Sequence, residues 1–311
     1  MLIEIDYNTY CDLFPDQRNP FITSCFIELN RFKADELVCL VEEVDKPEMG
    51  LIAGVKDKNL LSPFSAPFGG FHYKKENIYV DRIDAFISSL KRYFYDNTNE
   101  QFQITLPPDI YTPSFNAKCI SSFVRSGFTY QIPEITSWVD LRLFNNRYKQ
   151  KNSREYYRQS LRNKLVFDSI SSAEEQEIAY GIIKQNRARY DRPIFMTLED
   201  IRRVKKIWAV DFFKVTSPDG LMVASAIFYR FHSDIVFALF WGDNEHGRSL
   251  RAMDFMLFNL WKHYKELSYK YVDLGISTEQ SIPNVGLLRF KETHEAISSL
   301  KYSFSLNSNP S

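Results

Sequence analysis

A six-residue segment beginning at His246 combines the residue types that bind phosphate. Gly247 lets a backbone approach a ligand closely, Ser249 is a good helix N-cap, and Arg248 and Arg251 add positive charge. The free N–H groups and partial positive charge at the start of a helix bind anions. The segment therefore predicts either a pyrophosphate cradle or an ordinary helix start with solvated arginines.

A second candidate group consists of two basic residues and one acid downstream of that segment. Arg289 and Lys291 alternate around Phe290, so on a strand both cations would share one face. Two cations at a cleft bind phosphate or stabilise an oxyanion, whereas on a solvated edge strand they do neither. Asp273 ends a short apolar strand and is a candidate general base, although capping the strand end is the alternative.

Other chemistries lack their sequence patterns. No two cysteines form a C-x-x-C pair, the five histidines show no metal-ligand spacing, and no G-x-S-x-G motif is present. We therefore expect no metal site, no disulfide and no serine nucleophile. Free thiols in a reducing compartment are the expected state of the four cysteines, Cys11, Cys25, Cys39 and Cys119.

These residues are positioned by elements that hydrophobic periodicity predicts. In the first half we expect strands over 21–29, 36–43, 49–56, 102–106 and 137–141, and helices over 81–96 and 116–125. In the second half we expect helices over 173–188, 198–204 and 250–266, and strands over 212–216, 221–231, 235–241 and 271–274. The run 235–241 is apolar on both faces, which indicates a central strand covered on both sides.

Both halves thus place antiparallel strands before a long apolar helix and a further strand. A chain of 311 residues suits two domains of ordinary size, and the shared order suggests a duplicated α+β unit. We place the boundary at the Asn145-Asn146 pair. This gives an N-terminal domain over 1–145 and a C-terminal domain over 146–311 that carries the donor site.

The segment between the halves is strongly basic although the whole chain is neutral. The chain has 39 basic and 39 acidic residues, which argues against nonspecific coating of nucleic acid. The stretch 142–164 nevertheless holds eight bases and one acid. It either binds phosphates, with Arg158 and Arg162 as contacts to a substrate or to tRNA, or forms a solvated linker helix.

The N-terminus lacks the basic region and apolar stretch of a signal peptide, and no apolar run reaches the ~20 residues that span a bilayer. We therefore expect a cytoplasmic protein without a transmembrane segment. Its oligomeric state is not indicated by the sequence.

The order strand, loop and long helix around Gly247 resembles the GNAT superfamily. In that superfamily a loop with the pattern Q/R-x-x-G-x-G/A holds the pyrophosphate of acyl-CoA at the start of a helix. Here the loop 244–249 keeps one glycine and lacks the second. The resemblance implies that the donor contacts lie at Trp241, Gly242, His246, Gly247, Arg248, Ser249 and Leu250.

Three further segments resemble the FemABX-like proteins, which fuse two GNAT units. The stretch 271–292, ending in Gly286-Leu287-Leu288-Arg289-Phe290-Lys291-Glu292, is similar to their strand–loop–"G-L-x-R-F-K" signature. The segment 157–164 resembles the basic helix that opens their second unit, and 62–71 is similar to a loop of their first unit. After the lysine, Thr293 to Ala296 lack the glycines usual in the family.

This resemblance implies two tandem GNAT-like domains, each a mixed, mostly antiparallel twisted sheet flanked by helices. It implies a cytoplasmic bacterial acyltransferase that moves an acyl or aminoacyl group from acyl-CoA or aminoacyl-tRNA to an amine acceptor, small or peptide-like, such as a cell-envelope precursor. Lys291 would contact the donor and stabilise charge. The alternatives are a non-catalytic scaffold that binds a cell-wall or lipid precursor, and an RNA-binding module acting through residues 142–164.

Overall fold

The computed structural model describes residues 1–15, 18–97 and 99–308. The chain forms two compact units, each with its own sheet and core. The first contains Met1–Ile135 and the chain from Ser299 onward, and the second is Thr136–Ser298. Helices and strands alternate irregularly in both, which makes the protein α+β, as expected.

In chain order the strands are β1 (Leu2–Glu4), β2 (Glu36–Glu42), β3 (Met49–Lys56), β4 (Asn59–Ser62), β5 (Phe71–Tyr73), β6 (Gln101–Thr105), β7 (Thr129–Tyr130), β8 (Glu134–Asp140), β9 (Val166–Ser169), β10 (Ala209–Thr216), β11 (Met222–Arg230), β12 (Ile235–Asp243), β13 (Tyr271–Ile276), β14 (Thr278–Glu279), β15 (Ile282–Pro283), β16 (Ala296–Lys301) and β17 (Ser303–Asn307).

The α-helices are α1 (Tyr7–Leu13), α2 (Ser24–Asn30), α3 (Val80–Asp96), α4 (Pro113–Arg125), α5 (Lys151–Arg162), α6 (Ala173–Ala188), α7 (Leu198–Val204), α8 (Glu245–Ser249), α9 (Ala252–Glu266) and α10 (Val285–Thr293). Two short 3₁₀ turns cover Pro20–Ile22 and Arg31–Lys33.

The sheet of the first unit has the order β1-β2-β3-β4-β6-β17-β7, with β5 also beside β3. All of its pairings are antiparallel except that of β4 with β6. Helix α3 buries the stripe predicted from its i, i+3, i+4 spacing. Helix α4 ends before Gly127, whose φ of +75° fits the left-handed cap expected there.

The sheet of the second unit has the order β16-β8-β13-β12-β11-β10-β9. Strands β10 and β11 form the predicted hairpin, and β12 pairs in parallel with β13. Helices α6 and α9 both contact β11 and β12, so the apolar strand β12 is covered as expected. The prediction of mixed, mostly antiparallel sheets flanked by helices is confirmed for both units.

The strand predicted over 21–29 is wrong, because this segment is a 3₁₀ turn followed by helix α2. The period-2 pattern counted Thr23 and Cys25 as inward-facing, but Cys25 is exposed. The residues of α2 that are buried are Phe26, Ile27 and Asn30, at the i, i+1 and i+4 positions of one helical face.

The strand placement of Arg289 and Lys291 is also wrong, because both lie on helix α10. Asn284 caps this helix by accepting a hydrogen bond from the Leu287 N–H at 3.0 Å. Two residues apart on a helix point in nearly opposite directions. Arg289 is accordingly exposed and Lys291 buried, so the two cations do not form a pair.

The two units differ from the expected division into 1–145 and 146–311 at both ends of the second unit. Strand β8, expected to close the first half, pairs with β13 in the second sheet. Strand β17, near the C-terminus, pairs with β6 and β7 in the first sheet. The Asn145-Asn146 pair therefore lies inside the second unit, because strand pairing distant in sequence sets the boundary.

Replacing Phe304 of β17 with Ala tests whether the last strand belongs to the first core. Phe304 is fully buried and stacks on Phe123 with ring centroids 4.6 Å apart. We expect a loss of about 3–5 kcal/mol in unfolding free energy. The measurement is amide hydrogen exchange in β6, which should quicken. Phe195→Ala is the control, since Phe195 is 90% exposed, and equal exchange in the two variants would contradict the assignment.

Candidate functional site

A cavity of about 490 Å³ lies in the second unit, against the C-terminal end of β12. Five parts of the unit wall it, which are the end of α6 with the turn after it, β12, α8, the start of α9, and α10 with its N-cap. Of the site residues expected from the sequence, Trp241, Gly242 and Arg248 line this cavity. The others do not, namely His246, Gly247, Ser249, Leu250, Asp273, Lys291, Arg289, Arg158 and Arg162.

The two parallel strands of the sheet separate beside this cavity. Strand β12 is registered with β13 over three residues, from Ile235 opposite Tyr271 to Phe237 opposite Asp273. Beyond that point β12 continues to Asp243 with β11 as its neighbour, and β13 is shifted in register against β8. The split leaves carbonyl groups at the end of β13 without a partner on β12, which buried backbone groups cannot tolerate unless another donor reaches them.

Lys291 supplies that donor. Its ammonium Nζ donates to the carbonyl oxygens of Leu274, Gly275 and Ile276, each at 2.9 Å, and the residue is 2% exposed. Three carbonyls take all three protons of the ammonium group. Lys291 thus fixes the diverging end of β13 and does not line the cavity.

Burial lowers the pKa of Lys291 to about 7, against the opposing effect of the Asp273 carboxylate. Asp273 is itself buried, and its Oδ1 accepts a hydrogen bond from the Gly275 N–H at 2.8 Å. This contact caps the end of the strand, which was the alternative to a base at this position. The structure brings Lys291 and Asp273 near each other behind the split, away from the cavity wall.

Four arginines line the cavity, together with two aspartates. Arg187 lies over the Phe240 ring at 5.5 Å, its buried Nε has no hydrogen-bond partner, and burial lowers its pKa. Arg251 lies over the Tyr156 ring at 4.0 Å. Among the residues the structure describes, neither of these two guanidinium groups forms a salt bridge. The cavity therefore presents uncompensated positive charge to a ligand.

Asp243, the first of the two aspartates, is hydrogen-bonded by neighbouring side chains. Asn186 donates to its carbonyl oxygen at 2.9 Å and to its Oδ1 at 3.0 Å, and Arg248 donates to the same two atoms at 3.2 Å. Burial raises its pKa to about 6, although Arg248 acts in the opposite direction. Gly242 is required beside it, because a Cβ there would lie 2.8 Å from that of Asn186.

The helix start predicted at Ser249 is wrong, because the helices around it begin elsewhere. The short helix α8 is capped by Asn244, whose side chain accepts the Gly247 N–H at 2.8 Å, and it ends at Ser249. Helix α9 begins only after Arg251, a residue with a φ of +61°. Gly247 instead serves packing, since a Cβ there would lie 2.3 Å from the Val223 carbonyl oxygen.

The other predicted residues of this loop make contacts outside the cavity. The Ser249 hydroxyl donates to the His246 carbonyl at 2.7 Å, and the Leu250 carbonyl accepts from Asn163 at 2.9 Å. The His246 ring lies 4.0 Å from Asp219 on the exposed side of the loop. What this loop gives to the cavity is the guanidinium of Arg248 and the left-handed turn that places Arg251 in the wall.

The basic segment 142–164 contains helix α5. Arg158 and Arg162 are exposed and both pair with Glu155, at 3.6 and 3.3 Å. Exposed pairs of this kind contribute little to stability, so these cations remain open to exchange for a phosphate. The same helix contacts the cavity wall through Tyr156, because Arg251 of the wall lies over the Tyr156 ring.

Sequence reasoning missed a buried contact in the cavity wall, that between Asp254 and His294. Asp254 lies in the first turn of α9, and its Oδ1 is 3.1 Å from His294 Nε2. His294 is 2% exposed. No motif marks the pair, which is separated by 40 residues. Arg187 was missed for the same reason, since it lies in an unremarkable helix end.

In the ranges 1–15, 18–97 and 99–308, no group of three or more His, Cys, Asp or Glu residues could hold a metal ion. Over the same ranges, no helix has both the length and the apolar character needed to cross a membrane.

Comparison with known proteins identifies the fold through structure alone. No family model matches the sequence, and no curated protein matches it. FemX superposes with a TM-score of 0.66 at 11% identity over 99% of this chain and 98% of its own. L-PGS from Bacillus licheniformis gives 0.59 at 14% identity, over 99% and 94%. A tandem GNAT protein from the clavulanic acid biosynthesis pathway gives 0.54 at 9% identity, over 100% and 99%. The chain has the double-GNAT, FemABX-like fold.

Replacing Lys291 with Met should destabilise the second unit in a pH-dependent way. Above pH 7 the unfolded chain keeps a proton that the folded protein has released, so wild-type stability rises with pH by up to about 1.4 kcal/mol per unit. The Lys291→Met variant lacks this pH-dependent contribution to the unfolding free energy. Urea unfolding at pH 7, 8 and 9 can follow tryptophan fluorescence, since all four tryptophans lie in the second unit, at 138, 208, 241 and 261. A constant difference between the two proteins would contradict the lowered pKa.

Replacing Gly247 with Ala should destabilise the second unit by about 1–3 kcal/mol, because the added Cβ meets the Val223 carbonyl. Gly181→Ala is the control. Gly181 lies within α6, and a Cβ added there would meet no atom within 4 Å, so alanine should stabilise the helix by roughly 0.5–1 kcal/mol. Urea midpoints that move together in the two variants would show that Gly247 is not needed for packing.

Proposed function

We propose that the protein transfers an acyl or aminoacyl group to an amine, with the donor bound in the cavity of the second unit. The observation that carries this proposal is the cavity beside the split between β12 and β13, with arginines in its wall. The fold shared with FemX, L-PGS and a tandem GNAT protein supports a transferase. A cavity of this volume accommodates the reactive end of a donor and leaves the rest outside.

The unpaired arginines favour an anionic donor. Acyl-CoA and aminoacyl-tRNA both carry phosphates, and a guanidinium group binds a phosphate through two parallel hydrogen bonds. Arg187 and Arg251 are suited to this because neither is held by a carboxylate. Each is instead supported by an aromatic ring, which orients the group without neutralising its charge.

Between the two donors, the geometry favours an aminoacylated RNA end over acyl-CoA. Two observations disfavour a pyrophosphate cradle for CoA: the Gly247 N–H is bound by Asn244, and α8 is five residues long. The exposed Arg158 and Arg162 of helix α5 are available to bind the phosphates of an RNA. Tyr156 of the same helix packs against Arg251 in the cavity wall. Acyl-CoA stays the alternative donor.

In the reaction, the acceptor nitrogen attacks the carbonyl carbon of the donor ester. A C–N bond forms, the bond from that carbon to the ribose oxygen breaks, and one proton passes from the nitrogen to the leaving oxygen. Lys291 acts in this scheme as a positioning residue. By binding three carbonyl oxygens it keeps β13 apart from β12, and the separation admits the donor.

For the acceptor we propose an amine on a cell-envelope precursor, used in the cytoplasm. The FemX and L-PGS relationship supports this choice. A second candidate function is binding without catalysis. It is favoured by the position of Lys291 and Asp273, the two residues expected to be catalytic, outside the cavity wall.

A melting-temperature assay tests the donor. The ligands are acetyl-CoA and a short RNA ending in CCA with an amide-linked amino acid, which cannot react. We expect the RNA to stabilise the wild type, and Arg187→Ala and Arg251→Ala each to weaken its binding about tenfold or more. Arg203→Ala, on α7, is the control. If neither ligand shifts the melting temperature of the wild type, the proposed transfer is contradicted.

A further inference from the structure

The buried contact between Asp254 and His294 contains a proton whose position the geometry restricts. His294 Nδ1 is 2.7 Å from the carbonyl oxygen of Phe290. A carbonyl oxygen only accepts, so Nδ1 carries a hydrogen. The other ring nitrogen, Nε2, is 3.1 Å from Asp254 Oδ1. Two lone pairs would repel at this distance in a buried site, so one proton lies between the imidazole and the carboxylate.

The surroundings hold this arrangement in place. The Phe290 ring lies against the imidazole at a tilt of 39°, with centroids 4.2 Å apart, and the Tyr148 ring meets it edge-on at 5.1 Å. The His294 carbonyl accepts a hydrogen bond from Trp261 Nε1 at 3.0 Å. The Asp254 carbonyl accepts one from the Tyr148 hydroxyl, also at 3.0 Å. Both partners are therefore fixed in backbone and side chain.

Asp254 differs from the other aspartate of the cavity in what it leaves available. The Asp243 carboxylate is bound by Asn186 and Arg248. Asp254 lines the cavity as well, yet in the described part of the chain no hydrogen bond reaches its second oxygen, Oδ2. Asp254 thus joins the cavity to a buried imidazole through one carboxyl group.

We propose that Asp254 and His294 form a proton-transfer pair for the acceptor amine, with Asp254 as the residue that touches the substrate. This inference rests on the proposed transferase function and adds the group that removes the proton. His294 acts through Asp254 and is a positioning residue. The pair supplies the base that Asp273, behind the split, does not.

The proton taken from the acceptor is returned to the leaving group. An ammonium group of the acceptor donates one proton to Oδ2, while the proton on the opposite side is held by Nε2. The free amine then attacks the carbonyl carbon, and the C–O bond to the ribose breaks. The proton on Oδ2 passes to the leaving ribose oxygen. The nitrogen, now bonded to the carbonyl carbon, gives its second proton to the emptied Oδ2, and Oδ2 releases that proton to water, which restores the pair. No oxidant, reductant or other reactant is needed.

Several charged groups face the pair from the elements packed around it. Arg251 precedes α9, Arg187 lies across the cavity, and Glu295 follows His294 and pairs with Lys149 at 3.5 Å. Asp243 and Lys291 lie in the same unit and have pKa values of about 6 and 7. Both remain in any variant of Asp254, so a comparison of variant with wild type isolates the contribution of the pair.

The experiment compares pH–rate profiles of the wild type and Asp254→Asn. The donor is a CCA-ended RNA with an ester-linked amino acid, and the acceptor is a simple primary amine of known pKa. An amide donates to Nε2 in place of the carboxyl group, so the variant keeps the buried hydrogen bond. We expect kcat to fall at least 100-fold at pH 7.5. The loss should shrink as the pH approaches the pKa of the acceptor, where the amine is already free.

A structural role for Asp254 would give a loss that does not change with pH, and that result would overturn the inference. An unchanged rate at pH 7.5 would overturn it equally. Glu266→Gln, at the exposed end of the same helix, is the control and should match the wild type. His294→Gln should lower kcat at neutral pH with little change in KM, and a change confined to KM would contradict its role.

A second measurement does not depend on activity. In protein with ¹⁵N-labelled histidine, the resonances of His294 are identified by their loss in His294→Gln. We expect Nδ1 to be protonated in both the wild type and Asp254→Asn, and the Nε2 shift to move strongly between them. If the wild type transfers no group from any donor but this shift is seen, the proposed function fails and the shared proton stands. If the Nε2 shift is the same in the wild type and in Asp254→Asn, the inferred proton sharing between Asp254 and His294 is contradicted.

Discussion

The separation of β12 from β13 after three paired residues is the constraint on which the second unit depends. A parallel pair that stops early leaves unpaired carbonyls inside the protein, and a buried carbonyl without a donor costs about 1–3 kcal/mol. Lys291 meets three of them at once with a single ammonium group. A hydroxyl or an amide could not, because neither has three protons to donate. The cavity therefore depends on a lysine side chain that lies outside its wall.

The same constraint explains the distribution of charge in this unit. Lys291 is buried with Asp273 behind the split, where its charge is opposed by desolvation and supported by one carboxylate. In front of the split, Arg187 and Arg251 face the cavity on aromatic rings. The carboxylates are divided as well, since Asp243 is bound by its neighbours and Asp254 keeps an oxygen free for a ligand. Cations that hold structure are thus separated from cations that can bind.

The sequence was sufficient for elements whose own hydrophobic pattern is long and regular. Helices α3 and α6 and strand β3 lie where the hydrophobic periodicity predicts them. Each helix buries residues along one face, and β3 is buried on both faces along most of its length. Short segments failed, because chance alternation around Cys25 and around Phe290 imitates a strand over a few residues. The unit boundary failed for another reason. The pairing of β17 with β6 joins segments about 200 residues apart, and no local pattern records it.

The candidate site shows the same division between local and distant information. Trp241, Gly242 and Arg248 could be found because they adjoin a recognisable strand end. Asp254, His294 and Arg187 could not be found, because their significance arises from a side-chain contact between α9 and the end of α10 and from the cavity that α6 and α9 both line. Gly247 was predicted as a donor contact, and the structure gives a packing reason for a glycine at this position. A glycine before a helix permits close approach, and in this fold the neighbour that lies close is the Val223 carbonyl of β11. A glycine motif indicates that another group must approach the backbone closely, and only the packed structure identifies that group.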